Sequence, residues 1–172
     1  YPNADGMVGF CRDVLSRIQE KRPQTKLLII GAEPTPEVRR LGNLPGVTVT
    51  GTVDQVQPWV AKSCISIAPL SIARGTQNKV LEAMAMGLPV VASPLAARGV
   101  DAVQGEHLLV ADSPEQWTDA LLGLLEQPEQ RLALAAAGRE RIRTRHSWDA
   151  AMERLATLMD ECKHRHARRG NA

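Results

Sequence analysis

The chain has 172 residues and a formal net charge of +2; 44% of its residues are hydrophobic, but only 3% are aromatic. This length suits one domain, and the scarcity of aromatic rings predicts a core built from aliphatic side chains. It also argues against nucleic-acid binding, which relies on base stacking. No apolar run approaches the ~20 residues of a membrane span. Three scattered cysteines without metal-ligand spacing favour a reducing, cytoplasmic environment.

Helical and strand-like segments alternate along the chain. Periodicity predicts helices over residues 3–21, 36–41, 53–63, 77–86, 114–126, 129–145 and 148–164. Strands are predicted over residues 26–30, 47–50, 64–68, 88–92 and 107–110. Such alternation predicts an α/β fold, a Rossmann-like doubly wound parallel sheet with helices on both faces and the last helices packed at one side. Residues 1–160 are expected to form this domain, and residues 161–172 a basic tail.

The beginning of the chain departs from this fold. A doubly wound sheet normally opens with a strand, whereas here the first predicted element is a helix beginning near Asn3. In the common strand order 3-2-1-4-5-6, a strand before that helix would lie at the centre of the sheet. The visible strands would then tolerate a gap, pair differently or borrow a strand. The sequence leaves these three alternatives open.

Residues 68–94 are the most informative segment. An apolar strand ends at Pro69, a polar loop containing Gly75 leads into a helix, and Gly87 ends that helix just before the next strand. Such a loop lies at the carboxyl end of a parallel sheet, where α/β folds bind ligands and helix N-termini attract anions. Lys79 and Glu82 fall on one helix face. The segment therefore predicts a ligand that carries both phosphates and sugar hydroxyls.

The run from Lys79 to Ser93, KVLEAMAMGLPVVAS, resembles the donor-binding domain of the group 1 retaining glycosyltransferases of GT-B fold. Further segments that match this family are Pro2-Asn3, Asp5, residues 28–31, 46–51, 105–110 and 146–148. Residues 72–82, IARGTQNKVLE, look closest to the sugar transferases of bacterial PEP-CTERM/exosortase exopolysaccharide systems. The resemblance implies the carboxyl-terminal half of a GT-B enzyme, whose acceptor-binding domain would lie upstream.

In this family a Glu at the position of Glu82 binds the ribose hydroxyls of a nucleotide-diphosphate sugar. The family pattern places a second Glu eight residues earlier, where this chain has Arg74. An arginine cannot do the work of that carboxylate, but its planar guanidinium can bind a diphosphate. The close subgroup shares this arginine, so we interpret the segment as a specialised loop.

The remaining site residues follow from the same motif and loops. We expect Arg74 and Lys79 to stabilise the departing diphosphate, so they are the candidate catalytic residues. The candidate donor-binding residues are Glu82, Gly75, Thr76, Asn78, Gly31, Gly51 and Val53. Gly75 and Thr76 would begin the helix, with Thr76 as its cap. Each of these residues also has an ordinary interpretation, as a turn glycine or a solvated polar side chain.

No cofactor and no metal are expected, since metal-ligand spacings and an Asp-x-Asp motif are absent from the sequence. The missing Asp-x-Asp motif fits metal-independent transfer. The resemblance implies transfer with retention to a glycan or lipid-linked acceptor held by the missing domain. The basic residues of the last third predict either contact with the anionic inner membrane or simply a solvated helix face. An epimerase-like domain and a non-catalytic nucleotide-binding module are the alternatives.

Several other residues are expected to be structural. The predictions place Cys64 in a strand as a buried small hydrophobe, and the three tryptophans, Trp59, Trp117 and Trp148, as helix anchors in the core. His107 is expected to be a satisfied structural histidine rather than a general base.

Overall fold

A computed structural model of the chain describes the backbone of residues 2–169 and the side chains of residues 3–163. The helices are α1 (Pro2–Phe10), α2 (Ser16–Lys21), α3 (Pro36–Leu41), α4 (Gln57–Val60), α5 (Asn78–Ala85), α6 (Pro94–Arg98), α7 (Pro114–Glu126), α8 (Pro128–Arg145) and α9 (Trp148–Arg169), and a π-helical turn (Cys11–Leu15) joins α1 to α2. The strands are β1 (Leu27–Ile29), β2 (Val47–Val49), β3 (Ser66–Ala68), β4 (Val90–Ala92) and β5 (Leu109–Val110). The predicted α/β class is confirmed.

The strands form two parallel sheets instead of one. β1 pairs with β2, with Leu28 opposite Thr48, and β3, β4 and β5 form a second sheet in that order, with Ile67 opposite Val91. A groove separates β1 from β3. Of the three alternatives for a sheet without its opening strand, the structure therefore adopts the gap.

Helices cover both faces of the strands. On one face, residues of α1, α2 and α7 form a core cluster that includes residues of both sheets, and Phe10 meets Trp117 edge-on with 5.6 Å between ring centroids. On the other face, α5 and α6 pack against β3, β4 and β5. The middle strand of the larger sheet is fully buried, since Val90, Val91 and Ala92 are each 0% exposed.

Local sequence signals explain most helix boundaries. Ser113 and Gln116 form a capping box at the start of α7. After α5, Leu88 N–H donates to Ala83 O, and Gly87 adopts a positive φ of 76°. This is a Schellman ending, which glycine favours because it lacks a Cβ. The predicted helix end at Gly87 is confirmed.

Two helices differ from prediction. The helix predicted over residues 53–63 is reduced to the single turn of α4. Pro58 lies in the first turn of α4, the one place in a helix where proline is tolerated, so the helix begins at Gln57 and not at Val53. Helix α6 was not predicted, although Ser93 followed by Pro94 is a typical start. The Ser93 side chain accepts a hydrogen bond from Ala96 N–H at 3.2 Å.

Three expectations about buried side chains fail. Trp117 is buried as predicted, but Trp148 is 82% exposed and Trp59 is only half-buried beneath the Lys62 ammonium. Cys64 is exposed, because it precedes β3 instead of lying within it. Trp148 is exposed because α9 extends away from the core, and every α9 side chain from Ala151 to Lys163 is exposed.

The C-terminal region is more helical than predicted. Helix α9 continues to Arg169, through most of the segment expected to be a tail. The side chains of the basic residues beyond Lys163 lie outside the described part of the chain. Within the described part, no helix is long and apolar enough to cross a bilayer.

Candidate functional site

The candidate site is the mouth of the groove between the sheets, at the carboxyl ends of β1 and β3. The groove encloses about 1640 Å³, and its mouth is lined by Gly31 after β1, Pro69 after β3, and Lys79 and Glu82 of α5. Val80, Ala83 and Met84 of α5 are buried against the larger sheet, which leaves Lys79 and Glu82 on the neighbouring, solvent-accessible face. The predicted shared orientation of this cation and carboxylate is therefore present.

Lys79 is held at the mouth by a neutral partner. Its Nζ donates a hydrogen bond of 2.8 Å to Asn3 Oδ1, at the start of α1. No carboxylate of the described residues forms an ion pair with it. Partial burial lowers the pKa of the Lys79 ammonium from its usual 10.5, because desolvation disfavours the charged form. An anion at the mouth would supply the charge compensation that Asn3 cannot.

The charged groups of Glu82 and Arg74 have no partner among the described residues. Neither side chain forms a hydrogen bond or an ion pair with a described residue. The structure brings Glu82 to the groove, whereas Arg74 lies in the exposed loop before α5, outside the groove lining. A carboxylate accepts two or more hydrogen bonds, so Glu82 is available to a pair of sugar hydroxyls.

The loop that precedes α5 is held by contacts not found from the sequence. The Gln77 side chain donates to the carbonyl oxygens of Arg74 and Gly75, both at 3.2 Å. Gly99 packs against the same loop so closely that a Cβ there would lie 2.2 Å from Gly75 O. Gly75 itself has a positive φ of 65° and faces open space. The loop conformation is therefore fixed by Gln77 and Gly99.

The predicted cap at Thr76 is wrong. The N-cap of α5 is Gln77, and no side chain caps the helix. Because Gln77 directs its amide back to the loop carbonyls, it does not reach the first helical N–H groups. Thr76 and Asn78 are both exposed beside this uncapped end. The first backbone N–H groups of the helix that form helical hydrogen bonds are those of Val80 and Leu81, which donate to Gln77 O.

Contacts of Ser93 and Gly6 position the end of β3 next to the site. Ser93 Oγ donates a hydrogen bond of 2.8 Å to Leu70 O, while its backbone N–H donates to Ala68 O. Gly6 of α1 lies against the same turn, and a Cβ on Gly6 would be 1.8 Å from Pro69 O. A glycine inside an otherwise regular helix was the signal that could have revealed this close approach.

The loops after β1 and β2 contribute unequally. Gly31 lines the groove mouth and faces open space. Gly51, with a φ of 70°, and the half-buried Val53 follow β2 and are outside the groove lining. The structure thus places Gly31, Lys79 and Glu82 in the groove lining. The other predicted site residues lie outside that lining: Arg74, Gly75, Thr76, Asn78, Gly51 and Val53.

His107 has a structural role, as expected. It is 8% exposed, and Val103 N–H donates to its Nδ1 at 3.0 Å. That bond requires the Nδ1 lone pair and fixes the ring orientation. Among the residues that the structure describes, no group of three histidine, cysteine, aspartate or glutamate side chains is arranged to hold a metal ion.

The comparisons with known proteins identify the family. Residues 1–127 match the family described as glycosyl transferases group 1. The chain belongs to this family. A curated relative, the phosphatidyl-myo-inositol mannosyltransferase of Mycobacterium leprae, is 30% identical over 154 residues, which cover 86% of this chain and 41% of the relative. The chain spans less than half the length of the curated relatives it matches.

Solved structures show the same fold for this group 1 domain. The C-terminal domain of the group 1 protein LpcC from Francisella tularensis superposes with a TM-score of 0.69 at 22% identity, covering 83% of this chain and 80% of that one. The HepE protein of Anabaena, solved in complex with UDP and glucose, has a TM-score of 0.68 at 13% identity over 87% of this chain and 44% of that one. The fold is that of a GT-B C-terminal domain.

Proposed function

We propose that this domain binds the nucleotide-diphosphate sugar donor of a glycosyltransferase at the groove mouth. The observation that carries the proposal is the joint placement of Lys79 and Glu82 there, the first with a neutral partner and the second with none described. In this arrangement Glu82 accepts hydrogen bonds from two ribose hydroxyls, while the Lys79 ammonium pairs with a phosphate. The UDP complex of the HepE structure supports this ligand class.

The chemistry assigned to the site is charge stabilisation. When the bond between the anomeric carbon and the diphosphate oxygen breaks, the departing diphosphate gains negative charge. We assign the stabilisation of this charge to the side chains of Lys79 and Arg74 and to the backbone N–H groups of Asn78 and Lys79. These two N–H groups come before Val80 and Leu81, the first residues of α5 whose N–H groups donate to a helical carbonyl. Gly75 and Thr76 would let the donor approach this helix end, and Gly31, Gly51 and Val53 would flank the nucleotide. Transfer would then need no metal and would retain anomeric configuration.

The wider context is part of the same proposal. The acceptor, a glycan or a lipid-linked saccharide, would bind a further domain of a longer protein, and the pathway would be exopolysaccharide synthesis of the PEP-CTERM/exosortase type. The resemblance of residues 72–82 supports this assignment. We place the enzyme in the cytoplasm, in peripheral contact with the inner membrane. The epimerase-like alternative is not favoured, because the matched family consists of glycosyltransferases.

Ligand titration tests the proposal. We expect UDP or GDP to bind to the chain by calorimetry, and Glu82→Gln to weaken that binding about tenfold or more, the loss of roughly 1.4 kcal/mol. Glu153→Gln is the matched control, because Glu153 is an exposed helical glutamate on α9, away from the groove. Its affinity should equal that of the unmodified chain. Absence of binding by both nucleotides, or equal affinity in the Glu82 variant, contradicts the proposal.

A further inference from the structure

Helix α9 carries an apolar stripe that no described part of the chain covers. Every side chain of α9 from Ala151 to Lys163 is exposed, and Trp148 at its start is 82% exposed. Four large apolar side chains of the helix are each about half exposed: Met152, Leu155, Leu158 and Met159. Because they lie together on one helix, they form a contiguous apolar surface, and such surfaces mark interaction sites.

The spacing of these side chains is that of a coiled-coil seam. The α9 seam consists of Trp148, Met152, Leu155, Met159 and Cys162, at intervals of four, three, four and three residues. A repeat of 3.5 residues keeps one narrow stripe in contact with a second helix along its whole length. The apolar face of a helix that packs on a broader surface follows a period of 3.6 residues instead. The pattern therefore indicates a partner that is itself a helix.

Charges on the flanks of the seam favour a second copy of the same helix in antiparallel orientation. One flank consists of Asp149, Ala156 and Lys163, and the other includes Ala151 and Leu158. In an antiparallel pair of identical helices each flank faces itself in reverse, so Asp149 of each copy lies beside Lys163 of the other. In a parallel pair the charged flank would instead face the uncharged one. Only the antiparallel pair is complementary in charge.

Both charged groups are available for this pairing. Asp149 forms no ion pair with a residue that the structure describes. Lys163 donates a hydrogen bond of 3.0 Å to Asp160 within α9, and both of these side chains are mostly exposed. An exposed pair of this kind contributes little to stability, so the Lys163 ammonium can bind a carboxylate of the second copy instead.

An anionic bilayer is a poorer match for this helix. Helices that lie on such a membrane have a polar face rich in lysine and arginine. In α9 up to Lys163, the acidic residues outnumber the basic ones: Asp149, Glu153, Asp160 and Glu161 against Arg154 and Lys163. The charge of this part of the helix therefore favours a protein partner over a membrane surface.

We propose that α9 is a dimerisation helix, through whose seam two copies of this chain pair as an antiparallel coiled coil. In the register that matches the charges, Met152 lies beside Cys162 of the second copy, and Leu155 beside Met159 of the second copy. Each contact occurs twice, because the interface is symmetric. The proposal is independent of nucleotide binding, so the failure of either one leaves the other unaffected.

Disulfide cross-linking tests both the pairing and its direction. Cys162 is exposed, and Cys64→Ser removes the other exposed thiol of the described residues. In this background, Met152→Cys places a thiol beside Cys162 of the second copy. Within one chain the two positions are about 15 Å apart along the helix, which is too far for a disulfide. Glu153→Cys is the matched control, because residue 153 lies on the polar side of α9.

Under mild oxidation we expect the Met152→Cys protein to form a covalent dimer at least about tenfold faster than the Glu153→Cys control. The Cys64→Ser protein with Cys162 alone should not cross-link, since the antiparallel register separates the two Cys162 residues by about 15 Å. A parallel pair would bring them together. Equal cross-linking of the two engineered cysteines, or rapid cross-linking through Cys162 alone, overturns the proposal.

Sedimentation equilibrium measures the association without a cross-link. We expect a reversible dimer, and we expect Leu155→Glu to raise its dissociation constant at least about tenfold, because a charge then lies in the seam. Leu155 is exposed in the single chain, so this variant should fold. Thr157→Glu, on the opposite side of α9, should leave the constant unchanged. A monomeric mass at all concentrations overturns the proposal, and if the monomer also sediments with vesicles of anionic phospholipid, α9 is a membrane-binding helix instead.

Discussion

Asn3 Oδ1 accepts a hydrogen bond of 2.8 Å from Lys79 Nζ, and this contact joins the start of α1 to the first turn of α5. The two residues are 76 positions apart in sequence. The amide orients the ammonium at the groove mouth without neutralising it. A carboxylate in place of Asn3 would form an ion pair with Lys79 and compete with a diphosphate, so the neutral side chain is compatible with the anion site proposed here.

Nucleotide affinity should depend on pH through Lys79. Burial lowers the pKa of its ammonium below 10.5, so the charge that attracts the diphosphate is lost at a lower pH than for an exposed lysine. We expect affinity for UDP to fall as pH rises toward that lowered pKa. Lys79→Arg, which stays protonated, should bind UDP with less decline over the same range. Parallel titrations of the two proteins between neutral and alkaline pH check this, and identical pH profiles would contradict it.

Gly6→Ala should destabilise the domain, whereas Gly9→Ala in the same helix should not. A Cβ at Gly6 would lie 1.8 Å from Pro69 O, so α1 or the turn after β3 must move, while a Cβ at Gly9 meets nothing within 4 Å. We expect a loss of roughly 2–3 kcal/mol for Gly6→Ala and a gain of up to about 1 kcal/mol for Gly9→Ala from helix propensity. Urea unfolding of both variants measures the difference, and equal stabilities would show that the close approach is absent.

Gly99→Ala should weaken nucleotide binding without any contact to the ligand. Its Cβ would lie 2.2 Å from Gly75 O, and the loop from Arg74 to Gln77 must shift to relieve this overlap. We expect about a tenfold loss of UDP affinity, equivalent to roughly 1.4 kcal/mol. Gly123→Ala is the control, because a Cβ there meets nothing within 4 Å. If both variants bind UDP as the unmodified chain does, the loop conformation does not matter for binding.

The three cysteines should differ in reactivity. Cys11 is buried, and desolvation raises its pKa from 9.0 to about 11, while Cys64 and Cys162 are exposed. At mildly alkaline pH a thiol reagent should modify Cys64 and Cys162 rapidly, and Cys11 only on unfolding, because the thiolate is the reactive form. Mass spectrometry of the labelled protein identifies the sites. Rapid labelling of Cys11 in the folded chain would show that the π-helical turn is not packed as described.

The raised pKa of the Cys11 thiol also makes the stability of the protein depend on pH. The unfolded chain ionises Cys11 near pH 9.0, whereas the folded chain does so only near about pH 11. Its contribution to the free energy of unfolding is therefore complete below pH 9 and decreases as pH rises toward 11. Cys11→Ala should remove this part of the alkaline loss, at the expense of a cavity in the core. Unfolding curves at pH 8 and at alkaline pH, compared between the two proteins, measure the effect.

Local signals in the sequence were sufficient for most elements. Ser113, Gly87 and Pro128 mark helix ends through backbone geometry and capping, which depend on a few neighbouring residues. The same local reasoning failed for α4, which is shorter than predicted because of Pro58. It also failed for the predicted helix cap at Thr76, because the N-cap position is occupied by Gln77, whose side chain turns back to the loop carbonyls. The prediction that Trp148 is buried failed for another reason, since its burial depends on where α9 extends relative to the core.

The sequence alone determined the alternating α/β order and the site motif of Lys79 and Glu82, because helix periodicity and turn chemistry are properties of adjacent residues. Only the tertiary structure decided that the sheet is split between β1 and β3, and that Asn3, Gly6 and Gly99 support the site from distant parts of the chain. Strand pairing and close backbone approach are contacts between segments far apart in sequence. No local pattern encodes them, and they are fixed only when the whole core packs.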